Sequence, residues 1–236
     1  MPNDPENHMS KKRFAILFDL RRCNGCYACQ TACKAEHGIP LGVFRIRVNT
    51  FEYGKYPDIK RAFIPTICAQ AGKDSPMLKS CRDGSIVLDE NGIVRKNRER
   101  PSYNPGEIEK IIRSDPYGGA FVHPYEKSID FCDFCATTRN IGAGEPPACV
   151  TTCNTEAIYF GNISDPGSAI SRYIRKWDGS IWKGERLHVV RMKAREVPDV
   201  NVYYIGLTPE MEAVIEGHKQ FDPTFLEVWR WQEAGR

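Results

Sequence analysis

Residues 23–33, Cys23-Asn24-Gly25-Cys26-Tyr27-Ala28-Cys29-Gln30-Thr31-Ala32-Cys33, place four cysteines at the spacing C-x2-C-x2-C-x3-C. A second group lies far along the sequence. It begins with Cys132 and Cys135 in CDFC, passes thirteen residues, and ends with Cys149 and Cys153 in CVTTC. Thiols packed this closely are poor disulfide partners, because a bridge needs a specific separation and direction of the Cβ atoms. They suit a soft, thiolate-hungry inorganic group. Asn24-Gly25 falls inside the first run, where a binding loop has to turn sharply.

The spacing is that of a bacterial 4Fe–4S run, in which three cysteines hold one cube and the fourth ligates another. Two such groups are reciprocal. The reading is therefore two 4Fe–4S clusters, one on Cys23, Cys26, Cys29 and Cys153, the other on Cys132, Cys135, Cys149 and Cys33. The exchange pins the N-terminal strand region against residues about 120 positions later, so the middle section becomes an insertion within one cluster module. A four-cysteine zinc site would also accept CDFC with CVTTC. The third thiol inside the first run speaks against it. A redox C-x-x-C would use one pair at a helix start rather than two quartets.

The 236 residues allow one large domain or two small ones. At 41% hydrophobic and a mean hydropathy of −0.47 the protein is read as soluble with a real core. Thirty-three basic against thirty acidic residues leave +3, too small an excess for a nucleic-acid footprint. The basic run Arg95-Lys96-Asn97-Arg98-Glu99-Arg100 reads as a solvated loop. No apolar stretch reaches membrane-spanning length. The start, MPNDPENHMSKK, lacks an apolar signal core. The localisation expected is cytoplasmic, or periplasmic if the subunit is exported folded on a partner that carries the signal. His8, His37, His123, His188 and His218 are scattered and read as surface or satisfied histidines. Asp130 and Asp133 read as loop residues. No catalytic constellation is visible.

Local patterns place strands at Arg13–Phe18, Phe44–Thr50, Ala157–Phe160, Leu187–Arg191 and Val200–Ile205. They place a hairpin about Asn91-Gly92 and helices from Ala28 to about Glu36, Glu107–Arg113, Ser168–Trp177 and Pro209–Glu216. Phe221, Phe225, Trp229 and Trp231 form an aromatic tail suited to capping the core or docking on a partner.

The stretches CNGCYACQTACKAEHGIP, RAFIPTIC, DPYGGA, FCDFCATTRN and PPACVTTCNTEAIYFGN resemble the iron–sulfur (beta) electron-transfer subunits of molybdopterin or tungstopterin oxidoreductases of the dimethyl sulfoxide reductase family. The resemblance runs from about Arg13 to Gly161. It implies an α+β fold of two ferredoxin-like modules. The expected division is residues 12–62 plus 125–165 for the two-cluster module, 63–124 for an inserted degenerate module without clusters, and 166–236 for a C-terminal extension, a partner-docking element. The family's second quartet maps onto Cys68, Ala71, Met77 and Cys81, and its third onto Pro105, Ile108, Ile111 and Asp115. One thiolate per site holds no cube, so Cys68 and Cys81 are expected as buried free thiols. Apolar side chains then fill the vacated volume.

The resemblance implies a non-catalytic subunit of an oxidoreductase complex. It relays single electrons between a large molybdopterin- or tungstopterin-binding catalytic subunit and an external redox partner, such as a soluble carrier or a heme subunit. Two rivals stand beside it: an independent two-cluster ferredoxin, and a structural iron–sulfur subunit of a pterin enzyme without net redox turnover, such as a transhydroxylase. Arg21, Arg22 and Lys34 adjoin ligands and are read either as tuning the potential or as making surface pairs.

Overall fold

The structure is a computed structural model that describes residues 12–193 and 195–212. The aromatic tail from Phe221, the last residues of the Pro209–Glu216 helix and the first eleven residues lie outside the described part.

The fold is mixed α and β. In order the protein forms β1 (Phe14–Asp19), α1 (Ala28–His37), β2 (Arg47–Tyr53), β3 (Lys60–Thr66), α2 (Pro76–Ser80), β4 (Ile86–Leu88), β5 (Val94–Lys96) and α3 (Pro105–Ser114). There follow β6 (Phe121–Val122), β7 (Ile129–Asp130), α4 (Ala148–Thr151), β8 (Ile158–Asn162) and α5 (Ala169–Trp177). Four short strands complete the described part: β9 (Ile181–Trp182), β10 (Glu185–Arg186), β11 (Val189–Val190) and β12 (Val202–Ile205).

The central sheet has the order β11-β12-β1-β8. β1 runs parallel to β12 and antiparallel to β8. Its sequence, FAILFD, is buried throughout because both faces of the sheet are covered. Successive side chains on a strand point to opposite faces. Ala15 and Leu17 therefore pack with Ile170 of α5, Leu187 and Ile205. Phe14, Ile16 and Phe18 pack on the other side with Cys29, Cys33, Phe134 and Cys149. The sheet is thus a wall with α5 behind it and the cysteines in front.

Helix boundaries follow local chemistry. Asn104 caps α3 by accepting from the N–H groups of Gly106 and Glu107, and Pro105 opens the helix at its first position. Ser168 accepts from the Ser171 N–H at the start of α5. Gly38 ends α1 in the left-handed conformation, φ 62°, with its N–H on the Lys34 carbonyl.

A second core lies within residues 68–131. Cys68, Met77, Ile86, Val94, Ile108, Ile111, Ile112, Ala120, Ile129 and Phe131 pack together there. Two sequence expectations shift in this region. Arg95 and Lys96 of the basic run belong to the strand Val94–Lys96 paired with Ile86–Leu88, while Asn97–Arg100 form the expected loop, exposed from Arg98 on. Cys81 is only half-buried, because it caps α2 and turns its sulfur toward Asp83 Oδ1 (3.3 Å) and Ser85 Oγ (3.5 Å).

Candidate iron–sulfur centres

The eight cysteines reach one region by backbone pairing. The end of β1 and the start of β8 are joined by Phe18↔Ile158 pairing and by an Asp19 N–H to Ala157 carbonyl bond of 2.8 Å. Cys23 follows β1 by four residues and Cys153 precedes β8 by five, so the two come side by side. Helix α1 then carries Cys29 and Cys33 on one face at i, i+4 spacing, and α4, which carries Cys149, packs against it.

Cys23 stands beside Cys153 and Cys26, and Cys29 beside Cys23, Cys153 and Cys26. Cys149 stands beside Cys132, Cys33 and Cys135, with Cys29 a weaker neighbour, and Cys132 stands beside Cys33 and Cys135. Cys33, Cys132, Cys135 and Cys149 line a largely enclosed cavity walled by Ile16, Ile46, Ile67 and Phe134. Among the described residues no three His, Cys, Asp or Glu side chains converge closely enough for a single metal ion. A four-iron cube sets its irons between more widely spaced sulfurs, and the donor set suits it.

The loops aim backbone N–H groups at the sulfurs. Gly25 donates to Cys23, Gln30 to Cys29, Phe134 to Cys132 and Ala148 to Cys135. The Ala157 N–H lies 3.2 Å from Cys153 Sγ. Tyr27, Phe134 and Cys135 hold positive φ angles of 59°, 55° and 63°. Successive N–H groups about such residues form concavities that receive anions, clusters included. Gly25 is required twice over: its φ is +70°, and a Cβ there would lie 2.2 Å from the Phe63 ring. Burial pushes the Cys29 and Cys33 thiols up to about 12 and Cys135 up to about 11. The sulfurs therefore become anions when metal binding displaces their protons, which are released.

Charged neighbours were the least legible part of the sequence. Arg45 is buried and pairs with Asp130 at 2.7 Å and Asp133 at 3.0 Å. Both aspartates, read from sequence as loop residues, are thus buried partners of one guanidinium. Asp133 also accepts from the Cys135 N–H and the Thr137 hydroxyl, which braces the loop that carries two cysteines. His37 continues the Cys29 and Cys33 face of α1 and brings Nε2 to 3.2 Å from Cys135 Sγ. Arg21 is held by Asp19 at 2.6 Å and lies over the Trp177 and Trp182 rings. Arg22 pairs with Glu156, and Lys34 donates to the Pro40 and Val43 carbonyls. All three of these cations are occupied with protein partners.

Cys68 is buried and its sulfur donates to the Cys132 carbonyl at 3.1 Å. Gln70 Nε2 reaches the same carbonyl at 2.7 Å. Asp115 is buried, and its carboxylate accepts four backbone N–H groups, from Ala69 (3.0 Å), Tyr117 (3.2 Å), Gly119 (2.7 Å) and Ala120 (3.1 Å). Gly119 makes that approach possible, since a Cβ there would lie 2.2 Å from the Cys68 nitrogen.

This arrangement of paired thiol quartets, inward-facing amides and an enclosed cavity defines a carrier of two 4Fe–4S clusters. The family described as 4Fe-4S dicluster domain matches residues 59–163. The protein is 38% identical to Protein NrfC of Escherichia coli (strain K12) over 166 residues, 70% of its own length and 72% of that relative's. It is 34% identical to the Protein NrfC homolog of Haemophilus influenzae over 174 residues, covering 72% and 75%. It is 32% identical to thiosulfate reductase electron transfer subunit PhsB of Salmonella typhi over 170 residues, covering 71% and 84%. The protein belongs to the iron–sulfur, electron-transfer subunits of molybdopterin oxidoreductases. Its cofactors are two 4Fe–4S clusters, and its function is electron transfer.

Proposed function

We propose that Cys23, Cys26, Cys29 and Cys153 hold one cluster, Cys33, Cys132, Cys135 and Cys149 the other, and that the protein relays single electrons between a molybdopterin- or tungstopterin-binding catalytic subunit and an external redox partner. The observation that supports this pairing is that thiols from distant parts of the sequence stand side by side, Cys153 beside Cys23 and Cys29, and Cys33 beside Cys132 and Cys149. When bound, each cube supplies one-electron chemistry with little rearrangement. The protein's own part is to orient the sulfurs, donate N–H groups to them and exclude water from the second site.

The catalytic subunit docks at the exposed edge of the first site. Cys26 is exposed there, beside Tyr27, whose hydroxyl is 2.5 Å from Thr50 Oγ1 on the β2–β3 hairpin. The same hairpin ends in exposed Tyr56 and Ile59, which offer apolar contact area. Residues 63–124 are a degenerate ferredoxin-like module filled by its own side chains, and 166–236 are a C-terminal extension. The support for the filled module is the apolar core around Met77, Ile108 and Ile111. Electrons leave to a soluble carrier or a heme subunit. The complex works in the cytoplasm, or in the periplasm after export with its catalytic partner.

The test is anaerobic purification of the complex, with iron and acid-labile sulfide analysis. About eight irons per protein are expected, together with a copurifying pterin subunit whose substrate reduces both clusters. Iron-free protein after reconstitution would overturn the reading.

A further inference from the structure

His37 borders two spaces. It helps line the enclosed cavity among Cys33, Cys132, Cys135 and Cys149. It also helps line an open groove with Glu36, Lys96, Arg98, Tyr103 and Glu126. The residue is fixed there by helix geometry. Cys29, Cys33 and His37 follow one another at four-residue steps on α1, so the face that supplies two sulfurs also supplies the imidazole.

Its Nε2 lies 3.2 Å from Cys135 Sγ. The roles in that contact follow from the chemistry of the partner. A metal-bound thiolate has no proton and accepts only, so Nε2 must carry the hydrogen and donate it. A hydrogen bond to a ligand sulfur withdraws charge from the cluster and favours the reduced, more negative state. The surroundings push the other way. The cavity is closed to solvent on most sides, and the buried set of Arg45 with Asp130 and Asp133 brings two carboxylates against one guanidinium.

We propose that His37 is a tuning residue whose Nε2–H donates to the Cys135 sulfur and raises the reduction potential of the second cluster above the value its burial and neighbouring carboxylates would set. The role rests on the ligand assignment proposed above. It fixes how readily an electron arriving from the first cluster settles on the second.

The experiment uses the full-length protein with its clusters in place and two variants, His37→Phe, which fills the space without a donor, and His37→Gln, which keeps an N–H. Midpoint potentials are read by redox titration followed by electron paramagnetic resonance. H37F is expected to lower one of the two midpoints by about 59 mV, a tenfold change in the reduced-to-oxidised ratio of a one-electron couple. The other midpoint stays in place, and H37Q recovers most of the shift. In parallel, wild-type protein grown with 15N-histidine is expected to show a nitrogen coupling on the signal of one reduced cluster. This second measurement stands even where H37F fails to assemble. Both clusters present with both midpoints unmoved in H37F, or no 15N coupling, would overturn the proposal. Wild-type protein without iron would sink the ligand assignment and this role with it.

Discussion

Cys68 Sγ donates a hydrogen bond to the backbone carbonyl of Cys132 at 3.1 Å. A sulfur that donates is a protonated thiol, and burial pushes Cys68 well above the usual thiol range. It therefore braces the loop of a cluster-site cysteine from behind, as a small hydrophobe with a weak donor. We predict that C68S and C81S each keep about eight irons per protein. C68A should keep them as well and lose about 1–2 kcal/mol in urea unfolding, from the cavity and the missing bond. Loss of four irons in C68S would show that its thiol belongs to a cluster.

Cys29 and Cys33 sit four residues apart on α1, and the proposed pairing gives them to different clusters. Serine at the two positions should therefore extinguish different paramagnetic signals. C33S and C149S, distant in sequence, should extinguish the same one. Iron in each variant falls toward about four per protein. Identical spectra for C29S and C33S would refute the exchanged pairing.

Asp115 gathers four N–H groups deep in the 68–131 core. An alanine there leaves those donors buried without an acceptor, at about 1–3 kcal/mol for each group not rescued by relaxation. D115A is expected to lose about 3–5 kcal/mol in denaturant unfolding. D115N should be nearly as damaging, because an amide turns its NH2 toward two N–H donors. A variant within about 1 kcal/mol of wild type would show that water replaces the carboxylate.

Glu36 and Arg139 tie the end of α1 to the loop after Cys135 at 2.7 Å. The Arg139 hydrogen bond, helped by Thr138, holds the Glu36 carboxyl down at about 2. The folded-state value lies below that of an unfolded glutamate, about 4.3. The stabilisation is therefore present above that unfolded value and disappears as pH falls through about 2. Both side chains keep some solvent contact, so the pair contributes about 0.5–1 kcal/mol. E36Q should be less stable than wild type by that amount at neutral pH, and the gap should close towards about pH 2. An equal gap at both ends would assign the loss to packing rather than charge.

The central chemistry was legible because cysteine spacing is local and chemically exclusive. C-x2-C-x2-C-x3-C and CDFC followed by CVTTC announce thiolate ligation without any knowledge of the fold. β1 and α1 were equally readable, since Phe14–Phe18, FAILF, is an unbroken apolar run and Gly38 readily takes the left-handed φ of 62° that ends a helix. The basic run was read correctly as a loop only from Asn97 on, because the pairing of Arg95 and Lys96 with Val87 and Ile86 leaves no mark in the charges.

The amino-acid sequence by itself determined how many thiols there are, how they are spaced and that they ask for iron and sulfide. It did so because ligand type and loop length are properties of neighbouring residues. Only the tertiary structure decided that β12 pairs parallel to β1, that Asp130 and Asp133 share Arg45, and that His37 meets Cys135 across 98 positions. Those contacts join distant segments, and their energies depend on burial and direction that exist only once the polypeptide has closed on itself.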